Sequence, residues 1–159
     1  MNQQKKRTKK KIIFESPPYF NNEWGAKRKK IASPKFVKAV LKQADGYLFD
    51  VSHNFITMKH LEKEGIDYRK EILEVTKGKV LQMHLNAVTQ KTEEEYNDDH
   101  HIYIGLKHEQ EELDFAKEVL KNNPQLKIIT LEMTTNTSPE EHAKIIVQQA
   151  KYLKKKLEI

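Results

Sequence analysis

Four short apolar runs, each followed by a stretch of helical character, limit what this chain can fold into more than any other feature. Residues 11–15, Gly46-Tyr47-Leu48-Phe49 leading into Asp50, residues 79–85 and residues 127–132 read as strands. Between and after them come helix signals. Ser33-Pro34 supplies an N-cap and a first-turn proline for a helix through Lys42, and Asp67 can cap one through Val75. Residues 108–121 place Leu113, Phe115, Ala116, Val119 and Leu120 on one packed face, and Ser138-Pro139-Glu140-Glu141 opens a last helix running to about Leu157. The pattern predicts an α/β protein of four consecutive βα units with parallel strands. Helical crossovers then bring every strand's carboxyl end to one edge of the sheet, the edge where such folds bind ligands.

The residues expected at that edge are chemically selective. The four strand ends carry Glu15, Asp50, His84 and Glu132, and the segments after two of them add His53, Asp99 and His101. Singly, each has a plainer role: a surface acid for Glu15 or Glu132, a turn former for Asp50, a satisfied interior imidazole for His84. As a set, one acid or imidazole per strand end points to a metal site, because a cation offsets the cost of gathering carboxylates in a partly buried cleft. The sequence has no cysteine, so every ligand must be nitrogen or oxygen. The pattern also predicts a long loop after Asp50 that carries His53. It makes residues 86–107 a long polar loop bearing Glu93-Glu94-Glu95 and Asp98-Asp99-His100-His101, and leaves His60, His108 and His142 on the surface.

At 159 residues, 33% of them charged and with a mean hydropathy of -0.81, the chain reads as one soluble domain with no membrane span, since a spanning helix needs ~20 apolar residues. Absence of cysteine and of a secretory signal makes a cytoplasmic location the expectation. The net charge of +6 is uneven: residues 1–30 hold ten Lys or Arg against two Glu, so the remainder is slightly acidic. Residues 1–10 are expected to be a disordered basic tail and residues 11–159 the folded domain. No aromatic residues interleave with the tail lysines, so nucleic acid is not an expected partner. Lys27-Arg28-Lys29-Lys30 reads as a loop between a strand and a helix.

In kind and order, Glu15-Ser16-Pro17-Pro18-Tyr19-Phe20, Leu48-Phe49-Asp50-Val51-Ser52-His53, Met83-His84-Leu85, Asp99-His100-His101 and Thr130-Leu131-Glu132 resemble the C-terminal half of xylose isomerase-like (β/α)8 TIM barrels. Within that superfamily the motifs are most similar to the multinuclear non-haem iron oxidases that modify peptides. The divalent-metal sugar isomerases and epimerases and the endonuclease-four type nucleases are the alternatives. The resemblance implies that Glu15, Asp50, His84 and Glu132 surround one metal and that His53, Asp99 and His101 hold a second, with Asp98 and His100 as the other register. It implies divalent iron first, with zinc or manganese suited to the same donors, and a side chain of a ribosomal peptide as substrate. Catalytic residues beyond the ligands are not implied.

A complete barrel has roughly twice as many βα units and about 250 residues. Four parallel strands leave two unpaired edges and a sheet face meant for a barrel interior. The sequence therefore predicts closure by a second copy of the chain or by a separately encoded N-terminal half, or else a truncated, catalytically inactive remnant.

Overall fold

The computed structural model describes residues 11–19, 25–90, 92, 96–101, 103–134 and 137–159, with the side chains of residues 25–26 and 97–101 excepted. The expected basic tail, residues 1–10, lies outside them. In chain order the elements are β1 (Ile13–Phe14), α1 (Gly25–Ala32), α2 (Pro34–Val40), β2 (Gly46–Asp50), α3 (Val51–Glu62), α4 (Tyr68–Thr76), β3 (Val80–Leu85), β4 (Ala87–Gln90), β5 (Tyr96–His101), α5 (Glu109–Asn122), β6 (Ile128–Leu131) and α6 (Pro139–Leu157). Four strands form one parallel sheet in the order β1-β2-β3-β6, and β4 and β5 form a separate antiparallel hairpin. Ser33, Asp67 and Ser138 cap α2, α4 and α6 through side-chain oxygens, as the sequence predicts.

Several expectations are corrected. The long loop after Asp50 is α3, and His53 lies in its first turn. Val51, Ser52, Asn54 to Met58, His60 and Leu61 are all buried, so α3 is wrapped by other elements and lacks the one-sided apolar stripe by which helices are recognised in sequence. The polar loop of residues 86–107 contains the β4–β5 hairpin, in which Ala87 pairs with His101 and Val88 with Asp98. Asp99 and His100 therefore face no partner residue and form a bulge. Lys27 to Lys30 belong to α1 rather than to a loop.

Alternation along the strands divides the sheet into two faces. Tyr47, Phe49 and Met83 are buried on one, where Phe49 meets Phe115 of α5 edge-on at 5.4 Å. Gln82, His84 and Thr130 lie on the other, joined by the Gln82 amide, whose Nε2 is 3.1 Å from Thr130 Oγ1 and 3.0 Å from His84 Nε2. A bulge sets this arrangement. Tyr47 pairs with Val80 but Leu48 pairs with Gln82, so Leu81 is the extra residue and Asp50 comes level with His84. Without it, Asp50 would align with the buried Met83 and the two donors would fall on opposite faces. Leu81 is accommodated because residue 46 is glycine: a Cβ there would stand 2.5 Å from Leu81 Cγ and Cδ1 and 3.0 Å from the Lys79 carbonyl oxygen.

The hairpin docks on α3 through rings. Tyr96 of β5 stands edge-on to His60 of α3 at 5.9 Å and tilted against His108 at 5.6 Å, while His60 also meets Tyr19 and His108 also meets Phe55. His60 and His108 are thus packed residues, not the surface residues expected, and His142 is half-buried. Burial is the main cause holding both imidazoles of the cluster below the ordinary histidine pKa. Lys63 beside His60, and Lys59 and Lys107 beside His108, act in the same direction, against Glu64 and Glu111 respectively.

Two outcomes follow from these contacts. Gly46→Ala is expected to lower stability by about 1–3 kcal/mol through overpacking, read from urea denaturation; an unchanged midpoint contradicts the tight approach of Leu81. In addition, because the folded pKa values of His60 and His108 lie below 6.5, the unfolded chain takes up protons first as pH falls. Their contribution is complete above that value and is lost progressively below it. The melting temperature should decline between about pH 7 and about pH 5, and a His60→Gln/His108→Gln variant should show a shallower decline; an equal slope in both proteins removes the assignment.

Candidate metal centre

Four of the expected donors sit where the sheet delivers them. Asp50 is the last residue of β2, His84 the fifth of the six in β3, and Glu15 and Glu132 directly follow β1 and β6. The Glu132 amide still donates to the Leu85 carbonyl at 3.0 Å, which fixes its backbone against β3. His53, one turn into α3, comes back over the same edge.

Asp50 is fully buried and its two oxygens have different surroundings. Oδ1 caps α3: it accepts from the His53 amide at 2.9 Å and from the Ser52 hydroxyl at 2.9 Å. Oδ2 lies 4.0 Å from His53 Nε2 and 3.8 Å from His84 Nδ1. Asn54 Nδ2 donates to the Asp50 carbonyl at 2.7 Å and Tyr68 Oη donates to Asn54 Oδ1 at 2.8 Å, so this strand end is held from behind as well.

The donors divide into two groups that share Asp50. Glu15, Asp50 and His53 bring one ligand atom each within 4.8 Å of one another, and so do Asp50, His84 and Glu132. This differs from the partition expected from the resemblance, in which Glu15 joined His84 and Glu132. The difference arises from β1, which ends at Phe14 and lets the next residue turn toward α3: Glu15 Oε1 is 3.2 Å from His53 Nδ1. The side chains of Asp98, Asp99, His100 and His101 lie outside the described residues.

Proton placement follows from the neighbours. His53 Nδ1 is 3.2 Å from the Ser16 carbonyl oxygen, which can only accept, and 3.2 Å from Glu15 Oε1. Nδ1 therefore carries a hydrogen, and Nε2 is the ring nitrogen turned to the Asp50 side, where its lone pair is the one a metal would use. His84 Nδ1 is buried with Glu132 Oε1 at 2.8 Å and Asp50 Oδ2 at 3.8 Å, yet among the described residues it makes no hydrogen bond of acceptable geometry. Two carboxylate oxygens facing one buried ring nitrogen make a setting of negative charge and nitrogen lone pair that suits a cation. These side chains are thus acidic and imidazole groups close enough together to bind a metal ion.

A buried polar row lies behind the Glu15 side of the site. The Tyr47 hydroxyl meets the Ser16 hydroxyl in a short contact, and both residues are buried. Burial pushes the Tyr47 phenol up to about 12, against the opposing effect of its bond to Ser16, so it stays protonated. Neither Ser16 nor Tyr47 stands out in the sequence. The one available signal was that Tyr47 lies three residues before Asp50 on the same strand.

Comparison with protein-family models finds no match, and comparison with curated proteins finds no similar sequence. What the chain can do therefore rests on its own geometry.

The double use of Asp50 is testable apart from any ligand. Asp50→Asn keeps an oxygen for the α3 cap whereas Asp50→Ala removes it, so the Ala variant should be the less stable of the two by about 1 kcal/mol. Equal melting temperatures for the two variants would exclude the capping role.

Proposed function

We propose that this chain is a metal-binding protein related in design to the multinuclear non-haem iron oxidases that modify peptides, and that it acts as one half of an assembled barrel. The observation that carries the metal reading is the pair of three-donor groups sharing the buried Asp50, with the His84 ring nitrogen set between two carboxylates. Nitrogen and oxygen donors without thiolate suit divalent iron, and also manganese or zinc. Such an ion, when bound, supplies a Lewis acid and, for iron, a redox centre for activating dioxygen.

The chain's own residues then have definable tasks. His53 offers Nε2 because Ser16 holds the proton on Nδ1. His84 offers Nδ1 if its Nε2 keeps the hydrogen, which requires an acceptor. Gln82 provides one when its amide is turned so that Oε1 faces the ring, and the Thr130 hydroxyl then serves as donor instead of acceptor. Glu15 and Glu132 neutralise the charge from opposite sides of Asp50.

The need for a second half is supported by the sheet. β1 and β6 are its end strands, each paired on one side only among the described residues, and Ile128 of β6 is 54% exposed. Parallel sheets normally have both faces covered. Here one face carries the partly exposed Gln82, His84 and Thr130, a surface suited to the interior of a closed barrel. A second copy or a separately encoded N-terminal half would close it, complete the wall around the donors and contribute to a peptide-binding pocket.

Metal stoichiometry tests this reading. Equilibrium dialysis against Fe(II) without oxygen, followed by elemental analysis, should find about two ions per chain, one for each donor group. His84→Ala should lose one, and Asp50→Asn should weaken both by about tenfold or more. A wild-type chain that retains no metal under these conditions overturns it.

A further inference from the structure

Building on the metal reading above, we propose that Tyr47 is a positioning residue: through its buried hydroxyl it fixes the Glu15-Ser16 turn, and so presets the Glu15 and His53 half of the site. β1 pairs with β2 only at Ile13 opposite Gly46 and Phe14 opposite Tyr47. The ladder has therefore ended where Glu15 begins, and two of its neighbours are the prolines Pro17 and Pro18, which have no amide hydrogen to donate. Some other contact must hold this turn, and the described side chains supply one. The Tyr47 hydroxyl meets Ser16 Oγ, while the Ser16 carbonyl receives the His53 Nδ1 hydrogen at 3.2 Å. One residue thus joins the strand interior, the edge turn and the imidazole.

Tyr47 is well placed to be rigid. Its ring is fully buried between Phe14 at 6.0 Å and Phe49 at 5.9 Å, and it sits on the same short strand as Asp50. Its hydroxyl is hence referenced to the residue that both donor groups share. The His84 and Glu132 half is built differently: His84 lies inside a strand paired on both sides, opposite Asp50 and Thr130, and the Glu132 backbone is bonded to Leu85. Loss of the Tyr47 hydroxyl would leave Ser16 buried without this partner and release the Glu15 turn. The hydroxyl's other partner, Asn54, keeps its own bonds to the Asp50 carbonyl at 2.7 Å and the Tyr68 hydroxyl at 2.8 Å, so Asp50 and the His84 half beyond it stay held.

The test is a titration with Co(II) alone as probe, followed by visible absorption and calorimetry, on the full chain with its fold checked by circular dichroism. In Tyr47→Phe, one of the two binding events should weaken by about 10–100-fold and the other should keep its affinity. Ser16→Ala should reproduce that result, and the double variant should be no weaker than either single one. His84→Ala should weaken the opposite event. If the wild type shows no Co(II) binding, the metal reading itself has failed. If it binds two ions and Tyr47→Phe keeps both affinities, or loses both equally, the positioning role is overturned. Should Tyr47→Phe fail to fold, Ser16→Ala decides by the same criteria.

Discussion

The buried carboxylate of Asp50 is the contact on which the rest of this structure depends. A fully buried acid is tolerated only when its oxygens are well engaged, and the two here serve separate ends. One oxygen starts α3 by accepting the His53 amide, which fixes the helix axis and the position of the His53 ring. The other lies beside both imidazoles. Helix initiation and donor clustering are therefore one event: the chain cannot form α3 in this place without carrying His53 back over Asp50.

The placement of Asp50 in turn depends on register. In a parallel sheet a one-residue slip transfers every later side chain to the other face. The extra residue Leu81 uses such a slip constructively, keeping Phe49 and Met83 in the core while setting Asp50 level with His84. Glycine at position 46 is the local condition for that bulge, four residues upstream of the acid it positions. A feature that looks like a packing detail thus governs which side chains meet at the sheet edge.

This dependence explains what could and could not be read from the sequence. Strand ends at Glu15, Asp50, His84 and Glu132 were legible because short apolar runs with a single terminal acid or imidazole are a local pattern. Caps at Ser33, Asp67 and Ser138 were legible for the same reason. α3 was not, because a helix buried on nearly every side has no polar face to give it a period. The β4–β5 hairpin was hidden by the polar composition of Tyr96 to His101, and it is anchored from outside by His60, His108 and the buried Glu112 carboxylate, which accepts from the Val88 amide. The partition of the donors was hidden as well. Which acid faces which imidazole depends on where β1 stops, and strand length is set by tertiary contacts.

The two halves of the site differ in how they are held, and this bears on dynamics. The His84 side is part of a ladder with neighbours on both flanks, so moving it requires breaking backbone pairs in the centre of the sheet. The Glu15 side follows a two-residue end strand, anchored by the Asp45 amide on the Ile12 carbonyl and the Ile12 amide on the Asp45 side chain, and beyond Phe14 it relies on side-chain ties. End strands with few backbone bonds open at lower free energy than central ones. A cation shared between Asp50 and Glu15 would cross-link the end strand to its neighbour, since binding free energy becomes folding free energy wherever the ligands are not otherwise fixed. On the proposed reading, metal capture and closure of the β1 edge would therefore be coupled, with one of the two end strands open to a pairing partner also the one that a bound ion would order.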